Sequence, residues 1–262
     1  MPEILEIELY RRHAEEAIGR TVAGVHAEDH WYLKGGLDGP TARAALIGRT
    51  LTAARRRGKL LLMDTDGGDG PVLGLRFGMT GRLLVDHGAA LDDLAYGSNR
   101  DEPAWDRFAL DFVDGGHLRM RDPRRLGGVI LDPDEEALGP DALALTLRQL
   151  RAALADSTAP LKARLMDQQR VAGLGNLLTD EILWRAGLDP ARVTRSLDDD
   201  EVRRLHHHIR TGLVRMGDRG GSHTGDLQEA RHRGGLCPKD GTPLLRRTIG
   251  GRTTYSCPLH QA

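Results

Sequence analysis

Three groups of residues in this chain have types and spacings that could do chemistry. The first is the opening run Met1-Pro2-Glu3-Ile4-Leu5-Glu6. If Met1 is removed, the ring nitrogen of Pro2 becomes a free secondary amine. Such an amine can attack an aldehyde carbon, for instance that of a sugar, and form an iminium. An α-amino group has a reference pKa of roughly 7.7–8.0, so much of it is unprotonated near neutral pH, as a lysine amine is not. Glu3 and Glu6 lie beside it as proton donor, proton acceptor or positioning group. The second group is Cys237-Pro238-Lys239-Asp240-Gly241 with Cys257-Pro258-Leu259-His260. These are two knuckles of spacing C-x2-D and C-x2-H, and Cys, Asp, Cys and His are each competent zinc ligands. A small hairpin without zinc is the alternative. The third is Val171-Ala172-Gly173-Leu174-Gly175-Asn176. Glycine permits close backbone approach, amides exposed at a helix start bind anions, and Asn adds a donor. A tight turn between two helices explains the same residues without any ligand.

The elements around these groups bound what they can do. At 262 residues with 39% hydrophobic content, the chain suits two modest domains with real cores. Aromatics are only 4%, so Leu, Val, Ile and Ala must do most of the packing. No apolar run approaches the ~18 residues of a membrane span, and the charged first residues lack the apolar centre of a signal peptide. A cytoplasmic protein is expected. Two cysteines exclude a disulfide framework. The net charge of −1 argues against a generic polyanion binder, but the charge is unevenly distributed. From Arg203 onward, 11 Lys/Arg stand against 4 Asp/Glu, a net of +7. Arg55-Arg56-Arg57-Gly58-Lys59 and Arg119-Met120-Arg121-Asp122-Pro123-Arg124-Arg125 are further basic clusters, while acid collects in 132–136 and 198–201. Either one face is basic or these are separate solvated loops.

Residues 3–18 read as a helix, with Gly19 as its stop. From 20 to about 131 the pattern is strand-like, in runs such as 50–54, 60–65, 72–77, 81–85, 107–112 and 117–121 separated by Gly- and Asp-rich turns, which fits a β-sandwich. Residues 132–140 read as a linker. Helical periodicity then runs to about 217, with short helices at 161–167 and 177–185. Asp198 with Glu201 makes a capping-box start, followed by an apolar stripe of Val202, Leu205, Ile209, Leu213 and Met216. His206, His207 and His208 on that helix point in different directions and read as surface residues rather than a metal site. Two strands, 244–249 and 253–256, lie between the knuckles.

Taken in order, these pieces resemble the formamidopyrimidine-DNA glycosylase/endonuclease VIII (Fpg/Nei) family of base-excision repair enzymes. The resemblance runs nearly end to end. It rests on Pro2-Glu3 with Glu6, Arg57-Gly58-Lys59, Phe77-Gly78-Met79-Thr80-Gly81-Arg82-Leu83 and Asp122-Pro123-Arg124-Arg125-Leu126-Gly127. It continues through Lys162 to Gln168, Val171 to Asn176, and Gly251-Arg252-Thr253-Thr254. It implies an α+β chain: an N-terminal helix and β-sandwich over 1–131, a linker over 132–140, a helix-two-turn-helix domain over 141–222, and a zinc-finger-like β-hairpin over 223–262. It implies Pro2 as the nucleophile on the deoxyribose anomeric carbon, Glu3 as general acid/base, and Glu6 positioning the terminus. Lys59 would contact a phosphate beside the lesion and aid catalysis. Asn176 and Arg252 would hold the flanking phosphates, while Met79, Arg124 and Leu126 fill the gap left by an extruded base. Zinc on Cys237, Asp240, Cys257 and His260 would be structural, with no redox cofactor. The implied activity is a bifunctional glycosylase with AP lyase activity, acting as a monomer on damaged double-stranded DNA, with no membrane partner. The chain departs from the family at Leu5, Arg76, Leu126, Asp240 and His260. Its segment from Gly220 to Cys237 is also shorter than in 8-oxoguanine-specific members, which argues against strict 8-oxoguanine specificity. A non-catalytic lesion- or DNA-binding protein on the same scaffold, and a zinc-hairpin adaptor for protein partners, are the alternative readings.

Overall fold

A computed structural model of the chain describes residues 2–67, 69–89, 100 and 102–261. Met1, on whose removal the chemistry of Pro2 depends, lies outside the described residues. Two compact units divide the chain: Pro2 with Glu6–Glu135, and Glu3–Leu5 with the chain from Glu136 onward.

The first unit begins with the helix α1 (Ile4–Ala14), which tightens into a 3-10 turn at Glu15–Ala17. Among the described residues nine strands follow: β1 (Val22–His26), β2 (Leu51–Arg57), β3 (Leu60–Thr65), β4 (Leu73–Arg76), β5 (Arg82–Val85), β6 (Gly88–Ala89), β7 (Asp106–Phe112), β8 (His117–Arg121) and β9 (Gly128–Leu131). They form two antiparallel sheets, of order β1-β7-β8-β5-β6 and β2-β3-β4-β9. Inward residues of both sheets, among them Val25, Leu61, Met63, Leu75, Leu83, Phe108, Leu110 and Met120, share one core with Ile7 and Tyr10 of α1. The expected helix and sandwich are therefore present. One helix was not expected: α2 (Gly39–Leu46) interrupts the strand-rich region. Its start is local chemistry, because the Asp38 carboxylate accepts from the Thr41 N–H at 2.8 Å and Pro40 fits the first turn.

In the second unit the helices are α3 (Leu147–Leu154), α4 (Leu161–Met166), α5 (Asn176–Ala186) and α6 (Asp199–Asp218), followed by the hairpin β10 (Leu245–Ile249) and β11 (Arg252–Ser256). The α6 capping box forms as the sequence predicts: Asp198 accepts from the Glu201 N–H at 2.8 Å, and Glu201 accepts from the Asp198 N–H at 2.9 Å. The stripe of Val202, Leu205, Ile209, Leu213 and Met216 is buried in a core that also takes in Ile4, Leu5, Leu161, Leu165, Leu178 and Ile182. Helix α5 is the centre of this unit, buried along nearly its whole length. Among the described residues no helix is long and apolar enough to cross a membrane.

Candidate functional site

The glycine-rich turn before α5 binds an anion, and that anion is the chain's own. The Glu3 side chain is fully buried. Its carboxylate accepts from the backbone N–H groups of Gly175 at 2.6 Å, Leu177 at 2.8 Å and Leu178 at 3.3 Å. These are the otherwise unpaired donors of a helix start, at the positive end of its dipole. The Ile4 N–H adds a bond to the Gly173 carbonyl at 3.1 Å. The glycines are required by this approach. A Cβ on Gly175 would stand 2.3 Å from the Glu3 carboxyl carbon, and one on Gly173 would stand 2.4 Å from the Ile4 Cδ1. Glu3 is thus fixed directly beside Asn176, the first residue of α5, whose Oδ1 is buried without a hydrogen-bond partner among the described residues.

The same helix carries two buried acids that sequence reasoning missed. Asp180 lies between two cations: the Lys162 ammonium at 2.6 Å, with both side chains fully buried, and the Arg231 guanidinium at 2.8 Å. Burial pushes the Lys162 amine down from its ordinary range, and the Asp180 charge works in the opposite direction. Lys162 also donates to the Thr254 Oγ1 at 2.7 Å, which pins β11 and so the hairpin carrying Arg252. Glu181 accepts from the Leu227 N–H at 2.8 Å and from Arg185 at 2.6 Å, tying down the segment after α6. The signal was present in the sequence. An Asp-Glu pair within Leu177-Leu178-Thr179-Asp180-Glu181-Ile182-Leu183-Trp184 sits in a run too apolar to face water, and acids buried there need partners. Arg252 itself is exposed and has no ion-pair partner among the described residues.

In the first unit, Lys59 is half-buried in the two-residue turn joining β2 to β3. Arg56 stiffens that turn, donating to the Gly58 carbonyl at 3.0 Å and to Glu8 of α1 at 3.1 Å. Burial alone would push the Glu8 carboxyl up, but hydrogen bonds from Arg11 and Arg56 outweigh it and hold the group below its usual range. Glu6, on the same helix, is buried, as is Pro2. Met79 lies half-buried in the turn after β4, and Arg124 and Leu126 are exposed on the loop between β8 and β9. Buried Asp122 joins the two turns. It accepts from the Thr80 hydroxyl at 2.6 Å, the Arg124 N–H at 3.2 Å and the Gly127 N–H at 2.8 Å. Leu126 is left 50% exposed among the described residues, a large apolar side chain on the loop that Asp122 braces. Asp122 was legible only as part of a motif, since its role depends on Thr80, which is remote in sequence.

Residues Cys237, Asp240, Cys257 and His260 converge, with one donor atom from each lying within 4.8 Å of the others. The His260 Nδ1 is 2.8 Å from Asp240 Oδ2, and Cys257 Sγ is 3.3 Å from that same oxygen. Two thiols, an imidazole and a carboxylate at this spacing are a donor set that zinc accepts. The three consecutive histidines of α6 do not join it.

Of the residues expected to act together, the first unit holds Pro2, Glu6, Lys59, Met79, Arg124 and Leu126, and the second holds Glu3, Asn176, Arg252 and the four knuckle residues. Comparison with known proteins gives the family of the chain. The family model of the formamidopyrimidine-DNA glycosylase N-terminal domain matches residues 1–129, and that of the formamidopyrimidine-DNA glycosylase H2TH domain matches residues 137–225. The formamidopyrimidine-DNA glycosylase of Paracoccus denitrificans is 34% identical over the full length of both chains, and that of Carboxydothermus hydrogenoformans is 32% identical over 98% of each. Among solved structures, the complex of Lactococcus lactis Fpg with abasic-site DNA superposes with a TM-score of 0.81 at 26% identity, covering 99% of each chain. A complex of the same protein with DNA containing an oxidised pyrimidine gives a TM-score of 0.82.

Proposed function

The chain belongs to the formamidopyrimidine-DNA glycosylase family, and from that membership we propose a residue-level account of its reaction. It is a DNA glycosylase with AP lyase activity, acting on damaged DNA in base-excision repair. In our reading the Pro2 nitrogen, freed by loss of Met1, attacks C1′ of the damaged nucleotide as the base departs. Glu3 supplies a proton for opening of the sugar ring. The resulting iminium makes the C2′–H acidic. Loss of that proton expels the 3′ phosphate, and a second elimination can expel the 5′ phosphate. One amine so links base removal to strand cleavage. Glu6 positions the terminus and Lys59 meets a phosphate beside the lesion. Asn176 and Arg252 hold the flanking phosphates, contacts that set register without reading sequence. Met79, Arg124 and Leu126 occupy the space of the extruded base, whose flipping costs a few kcal/mol and least for damaged bases. Cys237, Asp240, Cys257 and His260 would hold zinc, which supplies a structural crosslink for the hairpin and no step of the reaction. We assign the catalytic domain to 1–131, a linker to 132–140, the helix-two-turn-helix domain to 141–222 and the hairpin to 223–262, in a protein of the bacterial cytosol and nucleoid.

The observation that carries this account is the three-donor anchor of the Glu3 carboxylate, which fixes the residue bonded to Pro2. The segment between α6 and the first knuckle is short and bound to α5 through Glu181 and Asp180, which supports a substrate range wider than 8-oxoguanine. Oligonucleotides each carrying one lesion test both points. Wild-type rates on oxidised pyrimidines and ring-opened purines are expected to lie within about tenfold of that on 8-oxoguanine. Glu3→Gln is expected to lower every rate by about 10²-fold or more, because it removes the acidic proton and sets an amide N–H₂ against at least one of the Gly175, Leu177 and Leu178 donors. A strict 8-oxoguanine preference would refute the range, and a fully active Glu3→Gln would refute the role.

Arg252→Ala should weaken binding of any abasic duplex by a similar factor regardless of sequence. It should reduce the slope of log affinity against log salt by about one, the signature of a lost phosphate contact. Titrations between low and moderate salt read this directly, and an unchanged slope would remove Arg252 from the interface.

A further inference from the structure

The cluster of Cys237, Asp240, Cys257 and His260 has a partner that the knuckle motifs do not contain. Trp184, near the end of α5, is almost wholly buried in a small core with Leu227, Cys237 and Cys257. Its indole N–H donates to the Cys237 Sγ at 3.3 Å. Its backbone carbonyl accepts from the His260 Nε2 at 3.2 Å, and the two rings meet edge-on at 6.0 Å. Lys239, inside the first knuckle, donates to the same carbonyl at 3.0 Å, and its ammonium lies 4.6 Å from the indole centroid. A carbonyl has two lone pairs and can take both donors. One residue outside the motifs therefore contacts two of the four ligands through two different atoms.

We propose that Trp184 is a positioning residue of the metal centre: its indole N–H orients and stabilises the Cys237 thiolate, and its carbonyl fixes His260 so that Nδ1 is the ligating nitrogen. This rests on the reading that the cluster holds zinc. The geometry for His260 is specific. With Nε2 committed as a donor to Trp184, Nδ1 is the nitrogen facing Asp240 at 2.8 Å and Cys237 Sγ at 3.7 Å. A ligating histidine usually donates its other N–H to a carbonyl or carboxylate, which sets tautomer and ring orientation. A simple packing role for the indole would need the ring but not its N–H, and the short contact to sulfur distinguishes the two. Because Trp184 belongs to α5, the metal centre is tied to the helix whose first turn anchors Glu3.

Trp184→Phe removes the N–H while keeping an aromatic ring in the core. In competition with a chromogenic chelator, full-length wild-type protein is expected to bind one zinc ion, and the variant to bind it about 10- to 100-fold more weakly. Cobalt in place of zinc gives a second readout. Losing the N–H raises the energy of the sulfur donor orbital, so the thiolate-to-cobalt charge-transfer band of the variant should move to longer wavelength, which a loss of packing alone would not cause. Equal zinc affinity and an unmoved band would overturn the proposal. Wild-type protein that takes up no zinc would instead overturn the zinc reading beneath it. If the variant does not fold, nitrogen-15 NMR of histidine in the zinc-loaded wild type decides: a proton on Nε2 of His260 supports the assignment, and a proton on Nδ1 refutes it.

Discussion

Protein carrying Pro2→Gly is expected to lose at least about 10²-fold in the rate of forming a borohydride-stable adduct with abasic DNA, while still binding that DNA. The substitution keeps an α-amine but makes it primary. An iminium formed from a secondary amine has no N–H to lose, so it stays cationic and remains an electron sink at any pH. The imine of a primary amine must be protonated before it can accept electrons from C2′. The ring also ties the nitrogen back to its own side chain, which limits the directions its lone pair can take. Protein that retains Met1 makes the sharper comparison. There the Pro2 nitrogen is an amide with its lone pair delocalised, and no adduct should form. Adduct formation by wild-type protein should decline as pH falls below the ordinary α-amine range near ~8, where the nitrogen is protonated. Trapping followed by mass spectrometry of the N-terminal peptide measures all three. An adduct formed at wild-type rate by protein that retains Met1 would remove the nucleophile from Pro2.

The second large effect is on stability. Asp180→Ala should cost about 3–5 kcal/mol, because it leaves two cations facing a buried site without their counter-charge. Lys162 is wholly buried and would retain only Thr253 and Thr254 as acceptors, while Arg231 would lose both its bonds to Asp180. The pH dependence gives the cause away. The Lys162 amine already titrates below its unfolded range because of burial, with Asp180 opposing that shift. Removing Asp180 lowers it further. Between the folded and unfolded pKa values the unfolded chain then binds more protons, so stability rises with pH. The deficit of Asp180→Ala should therefore shrink as pH is raised from neutral toward the usual lysine range. Denaturant unfolding at several pH values tests this, and a loss below about 1 kcal/mol that is flat with pH would mean that the site is not electrostatically coupled. Since Lys162 also pins β11, the same variant should bind abasic DNA more weakly through a loosened Arg252 hairpin.

Much of the architecture was legible because it is written locally. The α6 capping box and stripe, the β3 and β8 strands, the knuckles and the turn before α5 each depend on residues a few positions apart. Where local signals were read too coarsely the result was still local. The expected helix over 3–18 ends as an α-helix at Ala14 and continues as a 3-10 turn, and α2 was hidden in a region read as strands although Asp38-Gly39-Pro40-Thr41 is a helix start. The anion site at Gly173–Asn176 was recognised as a device but not for its occupant.

By itself the sequence determined which reactive groups this protein owns and in what order: a proline at position 2 beside two carboxylates, a glycine-framed helix start, a cationic hairpin, and two thiols, a carboxylate and an imidazole at knuckle spacing. Capping and periodicity act over one or two turns, so a linear pattern can encode them. Tertiary structure alone decided the pairings. Glu3 meets Gly175 across 172 residues, Lys162 meets Thr254 across 92, and Trp184 meets Cys237 across 53. A buried charge or donor must find a partner, but which partner depends on the faces that pack together, and no spacing rule along the chain carries that choice.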